Sequence, residues 1–354
     1  MRAAALALTL LSVAARPVAS QPDPASYLDI VNTYAEGQTD EAVGMLARWS
    51  DDAARKGARA LAAGAPEPHR VEAAVMLHSD LALATIAEHP ERADRQIEIA
   101  RDLVGSRVLD LPSEAAFKLR WYELAVSLLI SQWQPKLAQD YIRLGLYFSD
   151  DKVLVLDNAL VSLMELRASE ANPRGEGTVN IESPLPGTSS KSSARERASR
   201  ESRLRAAENA CRRAVKIDPQ YLDAHLRLGW ILLLSNVRGK ARDEFALVQA
   251  QTTRDDQRYL ATMFIGAVDV ADGHEEAAAR AYDAASAIGP GYQSALVALS
   301  QAELALGRPD RSRAIVLRLA ARRGDPPKDP WWDFYLGAVD EDALTWLRAE
   351  AQRR

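Results

Sequence analysis

Cysteine is nearly missing: Cys211 stands alone among 354 residues. No intramolecular disulfide forms, so the fold holds by packing, and this thiol reads as a buried core residue. Aromatic residues make up only 6% of the chain and β-branched residues are sparse, which leaves little from which to build a sheet. No stretch reaches the roughly 20 apolar residues of a membrane span. Positive charge is not in excess either. The formal charge of −5 argues against general nucleic-acid binding, which calls for a concentrated basic surface. Missing too are a nucleotide-binding glycine pattern, a zinc motif and a nucleophile elbow. His69, His78, His89, His225 and His274 are scattered without ligand spacing. No catalytic residue, cofactor or metal is therefore assigned.

What the chain has in quantity is Ala, Leu, Arg and Glu, all good helix formers. Its N-terminus pairs Arg2 with a run of small, apolar and hydroxyl residues from Ala3 to Ala15. Pro17-Val18-Ala19-Ser20 then offers small residues for cleavage after Ser20 or Ala19. This reads as a signal peptide over residues 1–20 and predicts an exported, soluble mature protein. No cysteine follows that would carry a lipid anchor.

A period near 34 organises the C-terminal half. Ala207, Ala241, Ala278 and Ser312 are separated by 34, 37 and 34 residues. Four positions after each come Cys211, Phe245, Tyr282 and Val316, and seven after each come Ala214, Val248, Ala285 and Leu319. Such self-similarity marks a helix–turn–helix solenoid, in which each unit buries its face by stacking on the next. Asp218-Pro219 and Ile288-Gly289-Pro290 stop helices, since the residue before a proline disfavours the α conformation. Gly229, lacking a side chain, predicts a close approach by the second helix of its hairpin, with Ala241 opposite.

Leu228, Gly229, Ala241 and Phe245, then Gly266, Gly273, Ala278, Tyr282, Ala285 and Pro290, resemble the tetratricopeptide repeat family as found in exported bacterial proteins. The match is specific over residues 195–322 and weaker upstream, where Tyr34, Gly37 and Ala42 have the same spacing and Asp40 is placed to cap a helix. Ala73 to Ile86 and Glu91 to Val104 read as amphipathic helices, and Trp121 to Ile130 with Ala138, Ile142 and Gly145 as a further hairpin. The resemblance implies an all-α solenoid, a superhelix of about seven antiparallel helix hairpins with a C-terminal capping helix. Degenerate hairpins fill residues 21–171 and clear repeats 195–322. Between them, residues 172–194 are rich in Pro, Gly and Ser and read as a flexible insertion within one hairpin, or else a domain linker.

The resemblance also implies where a partner binds. In this family the concave surface is lined by first-helix residues that face away from the second helix. By register these are Leu226, Trp230 and Leu233, then Met263, Ala267 and Val270, then Val297, Gln301 and Leu304. The lysine and asparagine clamp that some members use for acidic peptide tails has no counterpart here. The groove is apolar and suits a hydrophobic or amphipathic protein segment, with Trp230 as anchor. The alternative is that these side chains pack against the neighbouring first helix. Residues 323–354 add an aromatic cluster, Trp331, Trp332, Phe334 and Tyr335, which reads as a terminal cap or as a second docking or self-assembly patch. The basic run from Lys191 to Arg205 is interleaved with Glu and lacks aromatics, so it reads as a solvated helix face. The expected partner is a protein or peptide, with no nucleic acid and no stable membrane span, and the expected role is a non-catalytic scaffold.

Overall fold

The computed structural model describes residues 24–64, 67–110, 112–171, 194–321, 327–336 and 341–352. The signal-peptide reading and the 172–193 segment lie outside them. Among the described residues there is no strand. The chain forms two compact units, Met1–Lys118 with Thr345–Arg354, and Leu119–Leu344.

The first unit contains α1 (Pro24–Ala35), α2 (Thr39–Ala47), α3 (Asp51–Ala63), α4 (Pro68–Thr85) and α5 (Pro90–Val104). Helices α1 and α2 pair, as do α4 and α5, while α3 lies against α1 and α5. Ala73 to Ile86 is not the amphipathic face its sequence suggested: every residue of α4 from Val71 to Ala82 is buried. A helix apolar all round belongs in the centre of a packed unit. Its few polar residues are therefore satisfied internally. Tyr27 Oη and His78 Nε2 are 2.9 Å apart, and Gln96 Oε1 lies 2.6 Å from His78 Nδ1. Gln96 passes the chain outward to Asp51 at 2.8 Å. Because the amide oxygen accepts at Nδ1, the imidazole carries its proton there and accepts from Tyr27 at Nε2. Burial holds its pKa down to about 4. Asp80, also buried, accepts from Tyr34 at 2.6 Å and from Arg348 of the C-terminal residues at 2.5 and 3.0 Å. Asp40 does not cap α2: it sits in the first turn, and the N-cap position is Gln38 with no side-chain bond.

The second unit begins within α6 (Ala115–Ser131) and continues through α7 (Pro135–Phe148), α8 (Lys152–Ala171), α9 (Ala194–Ile217), α10 (Leu222–Leu234), α11 (Arg238–Gln251), α12 (Asp255–Ala271), α13 (Glu275–Ile288), α14 (Ser294–Ala305), α15 (Pro309–Ala320) and α16 (Pro330–Leu336). A last helix, α17 (Glu341–Ala351), carries the chain back to the first unit's residues. Consecutive helices pair as hairpins, and each hairpin packs on the next from α7 onward. Helices α8 and α9 pack on one another, so residues 172–193 connect the two halves of one hairpin. With α6 and α7, which meet through Trp121, Tyr122 and Tyr141, and with the pairs of the first unit, this makes seven hairpins among the described residues.

Three features of the sequence build this array. Asp151 accepts from Val153 and Leu154 backbone N–H groups and starts α8, as a capping carboxylate does. Within five hairpins, one turn residue takes the left-handed conformation: Gly37, Trp133, Asn236, Gly273 and Gly307. The close approaches are real. A Cβ on Gly229 would lie 2.6 Å from the Phe245 ring, and one on Gly266 would lie 2.6 Å from the Tyr282 ring. The small residue at the start of each period is buried, from Ala207 to Ser312. Cys211 is likewise buried, and burial pushes its thiol up to about 12. It is inert core, not chemistry.

Candidate binding groove

Helices α6, α8, α10 and α12, first helices of four hairpins in the second unit, line one cavity together with Pro330 and Phe334. Phe334 is the centre of the contact. Its ring lies 5.4 Å from Trp230, edge to face at 70°, and 4.9 Å from Phe264. Arg227 stacks its guanidinium over the same ring at 3.6 Å and donates to the Phe334 carbonyl. Trp331 adds a second ring 5.0 Å from Phe264, and Phe264 stacks in turn on Phe245 at 4.9 Å. This continuous aromatic seam runs from the repeat core into the C-terminal segment. Such pairs each contribute about 0.5–1.5 kcal/mol beyond burial.

Asp329 fixes the start of the segment. It is buried, and its carboxylate accepts from the backbone N–H groups of Gln293 and Ser294 at 3.0 and 2.9 Å, and from Trp331 at 3.0 Å. One side chain therefore caps both α14 and α16. Tyr259 donates to the same carboxylate at 3.4 Å and accepts from Ala295 at 3.2 Å. Desolvation by burial, with Asp329 beside it, pushes the Tyr259 phenol well above its ordinary range. The phenol thus stays protonated as a donor.

Beside Phe334 the groove opens into a cavity of about 470 Å³. Its walls include Glu123 from α6, Asp157 from α8, Asp223 from α10 and Asp256 from α12, with Arg227 and Arg254 among them. Arg254 pairs with Asp256 at 2.5 Å. Apolar Ile130, Leu156, Leu160 and Leu260 complete it. This polar part of the groove had no signal in the sequence, because its carboxylates come from four separate helices with no common spacing.

The residues expected to line the groove divide into three groups. Leu226, Trp230 and Met263 are buried at 1%, 6% and 2% exposure. Leu233, Ala267 and Val270 are half-buried. Val297, Gln301 and Leu304 are exposed. Trp230 does lie against a short aromatic segment, but that segment belongs to the same chain, with Arg167 stacked 5.6 Å from the indole on top. It is not an open anchor. In the aromatic cluster, Phe334 is buried and Trp331 half-buried, while Trp332 is 55% exposed; the Tyr335 side chain lies outside the described residues. The segment meets the last hairpin at α14, and Val316 and Leu317 of α15 remain exposed. The sequence held the signal for both partners of this contact, the groove and the cluster, but not for their union.

Hairpins stacked in register with small-for-large packing define a helical-repeat protein, tetratricopeptide-like in its pairing. Comparison with solved structures finds similarity to a monomeric mutant of IFIT1 with Gppp-AAAA, 11% identical with a TM-score of 0.44, over 84% of this chain and 71% of that one. A human IFIT1 dimer with m7Gppp-AAAA is 12% identical with a TM-score of 0.42, over 85% and 73%. No family model and no curated protein matches the chain.

Proposed function

We propose that this chain is a non-catalytic tetratricopeptide-type scaffold, exported after cleavage near Ser20, that binds a short aromatic helical segment of a partner protein in the groove of its second unit. The observation that carries this reading is the occupant already there. Residues 327–336 bury Phe334 against Trp230 and Phe264 and anchor an aspartate at a helix start. The chemistry of the resident segment defines that of the incoming one: an aromatic pair three residues apart, preceded by a carboxylate. The partner exchanges with the resident segment. A tethered occupant acts at an effective concentration of about millimolar for a short flexible linker, so its loosening sets the apparent affinity.

A protein partner suits the groove better than a nucleic acid. At the cavity Glu123, Asp157, Asp223 and Asp256 outnumber Arg227 and Arg254, which disfavours phosphates, in a chain of net charge −5. Export rests on Arg2, the Ala3–Ala15 run and the small residues before Ser20.

The test is capture from the envelope fraction of the source cells on three immobilised proteins: the mature chain, a Trp331→Ala/Phe334→Ala variant with its groove opened, and Trp230→Ala. A partner enriched on the opened variant and lost on Trp230→Ala supports the reading. Equal recovery on all three, or recovery of nucleic acid alone, contradicts it. Export is checked separately by N-terminal sequencing of the mature protein, with Gln21 or Ser20 expected first.

A further inference from the structure

The last hairpin, α14–α15, exposes a face that its predecessors bury. Leu226 and Met263 are 1% and 2% exposed, whereas Val297 at the same register is 45% exposed. Phe245 and Tyr282 are 0% and 4% exposed, whereas Val316 is 50% exposed. Leu304 and Leu317, 59% and 62% exposed, extend the apolar strip.

The α11–α12 junction shows what covers this face inside the array. Phe245 of α11 stacks on Phe264 of α12, and Arg242 of α11 pairs with the buried Asp269 of α12 at 2.5 Å. Arg313 and Val316 lie 71 residues after Arg242 and Phe245 and repeat that arrangement on α15. Arg313 is exposed and has no partner among the described residues. A cation and an apolar side chain are thus set out in the geometry that elsewhere receives the next first helix.

We propose that the outer face of α14–α15 docks an acidic amphipathic helix of another protein, in the place that the first helix of a further hairpin would take. The α12 template sets its chemistry: a large apolar side chain in the Phe264 position, and a carboxylate five residues later for Arg313. Charge disfavours two copies meeting through this face. Helix α15 carries Arg311, Arg313 and Arg318 against Asp310 alone, and a two-fold contact would set these cations against their own copies. The docking contact rests on Arg313 and Val316 of α15, outside the groove register that Val297 and Leu304 share, and stands whether or not the groove reading holds.

A labelled synthetic peptide of residues Asp255–Ala271, the helix that covers the equivalent face of α11, serves as the probe. It is titrated into the full chain and followed by fluorescence anisotropy. Binding is expected with the unmodified protein and is lost in Val316→Asp. Arg313→Glu weakens it about tenfold, as reversing one charge of an interfacial pair does, and an Asp269→Arg peptide recovers the loss. Both substituted side chains are exposed, and circular dichroism checks that the helices persist. Binding unaffected by either substitution, no binding to the unmodified protein, or dimerisation of the chain that Val316→Asp abolishes would each overturn the proposal.

Discussion

Phe334 stands edge-on against Trp230, ring centroids 5.4 Å apart, although 104 residues separate them in the sequence. The contact makes the groove of the second unit a filled site. Truncating the ring removes the central piece of the seam, and a buried Phe→Ala change costs about 3–5 kcal/mol where the site cannot collapse. Here the cost is limited by release of the segment. Phe334→Ala is expected to shift tryptophan emission to longer wavelength and to open residues 327–336 to protease, with the helical content of α6–α15 unchanged.

Asp329 is expected to matter as much as the aromatic rings. Its carboxylate serves backbone donors at the starts of both α14 and α16. Loss of a capping side chain costs about 0.5–2 kcal/mol. Asp329→Ala should therefore release the segment as Phe334→Ala does, and it should also raise hydrogen exchange at the start of α14. Protection at Ser294 and Ala295 equal to that of the unmodified protein would show that the cap carries no stability.

Glycine substitutions separate the positions that need a missing side chain from those that do not. Gly229→Ala places a methyl 2.6 Å from Phe245, against a ring held by Phe264, and overpacking of this kind costs about 1–3 kcal/mol. Gly44 in α2 has open space around it, so Gly44→Ala should stabilise by up to about 1 kcal/mol through helix propensity. Trp133 adopts φ +57° in the turn where three other hairpins place glycine. Trp133→Gly should relieve about 1 kcal/mol of left-handed strain. Denaturant titrations read all three.

Much of this architecture is legible in the sequence, and the reason is local. Period, helix stops and the Gly229–Phe245 relation depend on residues within one hairpin, where spacing fixes geometry. The buried α4 was misread because an all-round apolar helix carries no periodic signature. The filled groove was not legible because the Trp230–Phe334 contact depends on where a distant segment comes to rest. The turn between Ile130 and Ala138 was legible from its flanking helices, but not that Trp133 takes its left-handed position.

The two units respond to pH in opposite directions. His78 in the first unit is held neutral by burial, with a pKa of about 4 against an ordinary 6.5. An unfolded chain takes up that proton first, so stability present above pH 6.5 falls as pH drops toward 4, by up to about 3 kcal/mol. His225 in the second unit is raised by its hydrogen bond to Glu244, 2.6 Å away. Its contribution is complete below the ordinary histidine pKa and is lost as pH rises through the raised value. Hydrogen exchange resolved by peptide should show α4 and α5 loosening in acid, and α10 and α11 loosening as pH rises through the raised His225 value. His78→Gln should remove the first response and leave the second.

The most direct test of the central claim is whether the groove takes its own segment from outside. A labelled peptide of residues Pro327–Leu336 is titrated into the Trp331→Ala/Phe334→Ala variant, into the unmodified chain and into a variant that adds Trp230→Ala to the first two changes. The account predicts saturable binding to the opened groove, at least tenfold weaker binding to the unmodified chain because its site is filled, and loss of binding when Trp230 is also removed. Equal binding to all three proteins, or none to the opened one, would contradict it.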